Sequence, residues 1–237
     1  MLDSLIKEPF LGFSKGSLAF LKKLEDKKFN NKIWFDKNRD SYEKFVKLPM
    51  RMLIDDLAGD LYKIDSSIVV NYKSIFRINR DIRFSKDKTP YKTITSASFC
   101  FNTIKKPELP QFYFHLSPDE FLVAGGQYSM DTDKLKKIRI YIYENFDYFK
   151  KIISIKSFAK EYIQVSGEKL SNLPRGYDRL KLESKNNLLI ELMKMKQFYV
   201  CKTYNPEVAL NPELVNLITY NFNLMYDFTK FLNDALI

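Results

Sequence analysis

The sequence predicts an α+β fold in which a central antiparallel sheet is flanked by N-terminal and C-terminal helices. Apolar residues recur at helical spacing near both ends of the chain. Short segments rich in β-branched and aromatic residues occupy the middle, which is typical of strands. With 237 residues, 45% of them hydrophobic and only 7 glycines, the chain is long and apolar enough for one compact domain over residues 1–237.

Three helical patterns are predicted in the first quarter of the chain. Ser14 is of the residue type that caps helix N-termini. A second pattern starts at Lys32, after a turn at residues 29–31, and a third starts at Pro49, since proline is favoured in the first helical turn. The apolar positions are Leu18, Leu21 and Leu24 in the first, Trp34, Phe35, Tyr42, Phe45 and Val46 in the second, and Met52, Leu53, Leu57 and Leu61 in the third.

Strands are predicted in the middle of the chain. The segment 111–117 alternates cleanly, with Phe112, Phe114 and Leu116 facing one way. Pro118 is a turn former, so the next segment returns antiparallel to it as part of a meander. The four predicted strands cover residues 68–78, 93–101, 111–117 and 121–124.

Helical spacing returns after Gly125 and Gly126, which are expected to lie in a loop. Asp131 or Thr132 can cap one helix, and Asp147 can cap the next. The apolar positions of these two helices are Leu135, Ile138, Ile142 and Phe146, followed by Phe149, Ile152 and Ile153.

The last third of the chain combines a polar loop, a strand and a helix. The loop contains residues 174–176, and the strand covers residues 197–202. Asn211 and Pro212 open a terminal helix. Its apolar side consists of Leu214, Ile218, Phe222, Met225 and Leu232.

The charge, cysteine and histidine counts limit the functional classes to which the protein can belong. The chain has 39 basic and 29 acidic residues, a net charge of +10, which favours polyanionic partners. Lysine-rich composition alone also accounts for this surplus. Two distant cysteines and a single histidine exclude a disulfide framework and a zinc knuckle, so we expect no metal and no cofactor.

The same sequence predicts a cytoplasmic protein that does not span a membrane. A bilayer-spanning helix needs about 20 apolar residues, and the apolar runs of this chain are much shorter. Asp3 and Glu8 interrupt the N-terminal stretch where a signal peptide requires an apolar segment.

The most unusual segment is residues 77–92, which holds six basic and two acidic residues between two predicted strands. Arginine suits bidentate capture of phosphate, because its planar fork is permanently charged. A solvated basic loop is the alternative interpretation. The aromatic residues Phe84 and Tyr91 favour a site over such a loop.

Several motifs give the chain a family resemblance. They are NKIWFDKNRDSY at 31–42, RDIRFSKDKTPYK at 80–92, FYFHL at 112–116, AGG at 124–126 and PRGYD at 174–178. Together they resemble the family known as domain of unknown function 2461, found chiefly in bacteria. The resemblance implies a single cytoplasmic α+β domain and no established activity, cofactor or catalytic residue.

The chain departs from the family pattern at two places. Gln127 and Tyr128 stand where a third glycine and a tryptophan are usual. The residues 180–182 stand where the family has His-Pro. Any mechanism that requires that second histidine is therefore excluded for this chain.

The segments 77–92 and 174–178 are expected to meet and to form one polar cleft. Arg77, Arg80 and Arg83 are expected to leave a strand partly buried, and Asp81 cannot provide acceptors for all three. His115 could act as a general base, although a lone histidine in a sheet is also typical of a structural role.

The leading hypothesis is a binding protein whose polar cleft holds a phosphate-bearing ligand, either a nucleotide or a nucleic-acid backbone. The alternatives are an enzyme acting on a phosphoester or acyl substrate in the same cleft, and a scaffold whose helices dock a partner. The predicted ligand-binding residues are Arg77, Arg80, Arg83, Lys86, Lys88, Tyr91, Lys92, Arg175 and Tyr177, and the candidate catalytic residues are Asp81, His115 and Asp178.

Overall fold

The computed structural model describes residues 8–103, 106–129, 131–177 and 187–237. Two compact units are distinguished within these residues. The first unit contains residues 8–103, 113–123 and 203–221, and the second contains the remaining described residues. Both units are built from separate stretches of the chain. The single domain expected over residues 1–237 stays a prediction.

The first quarter of the chain is helical, as predicted. Ser14 caps α1: its Oγ accepts from the Ser17 backbone N–H at 3.2 Å, and the Ser17 hydroxyl accepts from the Ser14 N–H at 3.0 Å. Asn31 caps α2 by accepting from the Trp34 N–H at 2.9 Å. The helices are α1 (Lys15–Lys23), α2 (Lys32–Lys37), α3 (Arg39–Tyr42), a π-helical turn (Glu43–Lys47) and α4 (Leu48–Ile64).

The central sheet is antiparallel, and its four strands follow one another in the order β1-β2-β3-β4. The predicted α+β class is thereby confirmed. Phe112, Phe114 and Leu116 of β2 are all fully buried, as the alternation predicts. The strands are β1 (Thr95–Cys100), β2 (Gln111–Leu116), β3 (Phe121–Gln127) and β4 (Phe198–Tyr204).

The strand predicted over residues 68–78 is wrong. This segment contains a 3-10 turn (Tyr72–Ser74), which Asn71 caps by accepting from the Lys73 N–H at 2.8 Å. Only isolated bridges join the segment to the region of β1, at Ile68–Phe101 and Ile75–Ala97. The local side-chain cap competes with a continuous ladder, so β-branched composition alone misleads here.

Gly125 and Gly126 lie inside β3 and not in the predicted loop. The strand continues past Ala124 to Gln127. Gly126 has φ +114, and a Cβ there would lie 2.4 Å from the carbonyl oxygen of Phe198. Close backbone packing within the second unit therefore explains this glycine.

The helices of the second half follow the prediction in part. Asp131 caps α5 by accepting from the Lys134 N–H at 2.8 Å. The predicted cap at Asp147 is wrong, because α6 already begins at Phe146. The sequence did not predict the short helices α7 and α8. The bounds are α5 (Thr132–Glu144), α6 (Phe146–Ile153), α7 (Lys156–Glu161), α8 (Asn187–Lys194), a 3-10 turn (Pro206–Leu210) and α9 (Leu214–Asp234).

Across the described part of the chain, no helix combines the length and the apolar character that crossing a membrane requires.

Candidate anion-binding site

Residues 77–92, hereafter the basic loop, form a loop whose two ends are joined. The Arg80 N–H donates to the Pro90 carbonyl and the Lys92 N–H to the Ile78 carbonyl, both at 2.8 Å. Asn79 and Tyr91 form an antiparallel bridge between these bonds. The backbone therefore fixes the base of the loop before β1 begins.

Arg80 organises the interior of the basic loop. Its Nη1 donates to the Asp87 carboxylate and to the Thr89 hydroxyl, and its Nη2 lies 3.4 Å from the Ser85 Oγ. The Arg80 guanidinium lowers the pKa of Asp87 from its ordinary value of 3.8 to about 2, with further help from the Thr89 backbone N–H. Arg80 thus has a structural partner and is not free for a ligand.

The second carboxylate of the loop is also paired. Arg83 donates two hydrogen bonds to the Asp81 carboxylate, from Nε to Oδ1 at 3.0 Å and from Nη2 to Oδ2 at 2.7 Å. Hydrogen bonds from Arg83 lower the pKa of Asp81, so this carboxyl is ionised at neutral pH. Asp81 is therefore poorly suited to donate a proton. It remains suited to orient the Arg83 side chain.

Three further cations of the loop form no ion pair among the described residues, although Arg77 is close enough to Asp81 to help lower the pKa of that carboxyl. Arg77 and Lys86 are exposed, and no carboxylate of the described residues lies within ion-pair distance of either. Lys88 donates to the Ile82 carbonyl at 2.9 Å, a bond that leaves its charge in place. At the end of the loop, the Lys92 ammonium lies 5.2 Å from the Phe76 ring centroid.

The three arginines are less buried than the sequence suggests. The Arg83 side chain is 76% exposed and that of Arg80 only 27%, while Arg77 is exposed. The expectation of three partly buried guanidinium groups therefore holds for Arg80 alone. The segment before the loop is not a regular strand, so it does not carry Arg77 against the core.

Tyr91 lies in the core. It is 5% exposed, and its ring stacks on Phe35 with 3.9 Å between centroids and 13° between planes. Its backbone N–H donates to the Asn30 side chain, which donates in turn to the Tyr91 carbonyl, both at 3.0 Å. Tyr91 thus anchors the end of the basic loop.

His115 belongs to a polar cluster on the sheet. Its Nε2 lies 3.0 Å from the Glu120 Oε1 and its Nδ1 lies 3.2 Å from the Tyr113 hydroxyl. Burial lowers the pKa of His115, against the opposing influence of Glu120. Burial also raises the pKa of Tyr113, an effect that Ser96 opposes. The sequence pointed to His115 but not to its contact with Glu120.

Comparison with known proteins gives one assignment. The family model described as "Conserved hypothetical protein (DUF2461)" matches residues 16–231. The chain belongs to this family. None of the curated proteins matches its sequence. In this DUF2461 chain, both the basic loop and the His115 cluster lie within the matched residues.

The remaining predicted ligands lie in the second unit of this DUF2461 chain. Arg175 is exposed in a turn with Gly176, whose φ is +95. The Tyr177 ring packs edge-on against Tyr143, 6.2 Å between centroids. Asp178 lies outside the described residues. The meeting of this segment with the basic loop stays a prediction.

Arg139 is a cation that sequence reasoning missed. It is 7% exposed and donates from Nη2 to the Met195 carbonyl at 2.7 Å, while its Nε has no partner among the described residues. Burial lowers the pKa of Arg139, and Tyr177 is close enough to oppose that shift. The only indication of its burial in the sequence is that it is adjacent to Ile138, one of the apolar positions of α5.

The described residues contain no group of three or more His, Cys, Asp or Glu side chains that could hold a metal. Cys100 is a buried cysteine, and Cys201 is a half-buried one.

Proposed function

We propose that the basic loop binds a phosphate-bearing ligand, either a nucleotide or a nucleic-acid backbone. The observation that carries this proposal is the internal use of both carboxylates of the loop. Asp87 is committed to Arg80 and Asp81 to Arg83, so the loop cannot neutralise its own surplus. An anion from outside is the natural complement of the remaining cations.

The closed base of the loop supports binding by a preorganised site. The Asn79–Tyr91 bridge and the two backbone bonds beside it hold the ends together. The hydrogen bond from Arg80 to Asp87 joins two positions inside the loop. Arg77 and Lys86 are therefore carried on an ordered backbone, and binding costs less conformational entropy than ordering a flexible tail would.

Phe84 favours a ligand that carries a base as well as a phosphate. Its side chain is 95% exposed, an unusual position for a large apolar ring. The Arg83 guanidinium lies 5.8 Å from the ring centroid. An exposed aromatic ring beside cations is the combination on which nucleic-acid bases stack while the backbone is bound electrostatically.

The test is fluorescence anisotropy with a labelled single-stranded oligothymidylate, repeated over a series of salt concentrations. The logarithm of the affinity is expected to fall with the logarithm of the salt concentration by about 0.7 for each phosphate contact. The double variant Arg77→Gln/Lys86→Gln should reduce that slope by about 1.4, because two contacts are lost.

A matched control is available in the same unit. Lys23→Gln/Lys27→Gln removes the same net charge from two exposed lysines near the end of α1, and should leave the slope nearly unchanged. Phe84→Ala should weaken binding about 5- to 150-fold, corresponding to about 1–3 kcal/mol for one stacked base.

Competition with ATP distinguishes the two ligand sources. A nucleotide site predicts displacement of the oligothymidylate by ATP and little dependence on oligonucleotide length. A backbone-binding site predicts affinity that rises with length. If neither ligand binds at low salt, or if both double variants lose affinity equally, the proposal is wrong.

A further inference from the structure

The second unit contains an apolar cavity of about 150 Å³ beside α7 and α8. Buried side chains form much of its wall, namely Phe158, Tyr162, Leu192 and Met195, each 2% or 3% exposed. Ile163 also lines the cavity, and this large apolar side chain is 92% exposed, so it lies at the mouth. An apolar cavity of this volume can hold a ring of about six carbon atoms. The cavity therefore has room for a small apolar group.

Charged side chains lie at one side of this cavity. Lys169 and Glu191 both line it, and the Lys169 Nζ lies 2.9 Å from the Glu191 Oε2. The Nζ of Lys194 lies 3.0 Å from the other oxygen, Oε1, of the same carboxylate. Glu168, adjacent to Lys169 in sequence, is paired with Lys196 at 3.2 Å. One carboxylate thus serves two lysines, and one positive charge is left over.

Lys169 can exchange Glu191 for another carboxylate at low cost. Their side chains are 46% and 44% exposed, and ion pairs that are so accessible to water are weak. Glu191 would keep Lys194 as its partner, because the two lysines donate to different oxygens. Both lysines lower the pKa of Glu191, so its carboxylate stays ionised and paired at neutral pH.

The backbone holds Lys169 beside the apolar wall. Lys169 forms an antiparallel bridge with Met195, which itself lines the cavity. Ser166 and Tyr199 form a second bridge, in which each N–H donates to the carbonyl of the other residue, at 2.7 and 3.2 Å. This short antiparallel pairing places a cation next to an apolar cavity before any ligand binds, and such preorganisation favours affinity.

We propose that this cavity binds a monocarboxylate with an alkyl chain of about six carbons, whose chain enters the cavity and whose carboxylate pairs with Lys169. The single surplus positive charge matches a single negative charge. Glu191 remains nearby and repels a second negative charge, which favours a carboxylate over a phosphate. The cavity shares no residue with the basic loop, so this proposal does not depend on the proposed function.

The first test is an NMR titration with hexanoate of protein labelled with ¹³C at the methionine methyl groups. The Met195 methyl signal should shift, because this side chain lines the cavity. The Met50 methyl signal is the control and should stay in place, since Met50 is buried in α4 of the first unit. Affinity should rise about 4-fold for each methylene from butanoate to hexanoate. Octanoate should gain little more, because its chain exceeds the cavity.

The second test separates the charge from the apolar contact. Lys169→Gln should weaken hexanoate binding about 5-fold and leave hexanol binding unchanged. Lys196→Gln is the matched control, because it removes the same charge from an ion pair of similar exposure at a residue that does not line the cavity. This variant should bind hexanoate normally. Hexylamine tests the charge without any substitution and should bind more weakly than hexanol.

Three results would each overturn the proposal. The first is a Met195 methyl signal that does not respond to hexanoate. The second is an equal loss of hexanoate affinity in Lys169→Gln and Lys196→Gln, which would indicate a general effect of charge. The third is hexylamine binding at least as tight as hexanoate binding, which would make Glu191 the partner of the ligand.

Discussion

Asn30 clamps the backbone of Tyr91 with two reciprocal hydrogen bonds. Its side-chain oxygen accepts from the Tyr91 N–H, and its side-chain nitrogen donates to the Tyr91 carbonyl, each at 3.0 Å. The same nitrogen donates to the Leu24 carbonyl at 2.6 Å. This buried amide, which is 61 residues from Tyr91 in the sequence, thus ties the end of α1 to the end of the basic loop.

Asn30→Ala should destabilise the protein strongly. It leaves the buried N–H and carbonyl of Tyr91 without partners, and each unsatisfied group costs about 1–3 kcal/mol. We expect a loss of about 2–5 kcal/mol in the free energy of unfolding, measured by urea denaturation. Asn79→Ala, at an exposed position, is the control and should change stability by less than about 0.5 kcal/mol. Equal effects of the two substitutions would refute the clamp.

Asp87→Asn should reduce the acid sensitivity of the protein. The folded-state pKa of Asp87 is about 2, below its ordinary value of 3.8. Its contribution to stability is therefore present above about pH 4 and is lost as pH falls towards 2. Urea unfolding across that range should give a shallower pH dependence for the variant. Asp227→Asn, at an exposed position in α9, should retain the slope of the unsubstituted protein.

His115 should stabilise the fold in its neutral form. Burial lowers its pKa below 6.5, so the unfolded chain takes up a proton at higher pH than the folded protein does. Stability should therefore fall as pH drops below about 6.5 and through the folded-state pKa. As the chain has one histidine, NMR reports its titration and tautomer without overlap. A midpoint above 6.5 would contradict this prediction.

Two glycines should respond to alanine in opposite directions. Gly126→Ala places a Cβ 2.4 Å from the Phe198 carbonyl oxygen at a φ of +114, so we expect a loss of at least about 2 kcal/mol. Gly59 lies in α4, and a Cβ added to it would have no contact within 4 Å. Gly59→Ala should therefore stabilise the helix by about 0.5–1 kcal/mol. Thermal unfolding of both variants measures the contrast.

Local rules accounted for much of the secondary structure. Ser14 and Asp131 cap helices because short polar side chains satisfy free N–H groups close to them in sequence. The alternation of β2 follows from the geometry of a single strand. The segment 68–78 failed because its β-branched composition says nothing of the Asn71 cap that turns the chain, and α7 is too short to show a clear helical period.

The composition of residues 77–92 predicted where the candidate site lies. The ion pairs in the structure determined which of its cations are available to a ligand. The sequence located the basic loop, but it could not show which cations Asp81 and Asp87 neutralise. It named Tyr91 as a ligand-binding residue, and the structure places that ring in the core beside Phe35. Arg139 was not found, because nothing local marks a polar residue whose surroundings come from distant parts of the chain.

By itself, the sequence determined the α+β class, the helix caps, the concentration of positive charge at residues 77–92 and the family resemblance. These depend on periodicity, residue chemistry and motif order, all of which are local. Tertiary structure alone decided which cations form ion pairs, and it alone brought Glu120 and the Tyr113 hydroxyl within hydrogen-bond distance of His115. Hydrogen bonding and burial depend on which atoms lie within a few ångströms, and only the folded chain brings those atoms together.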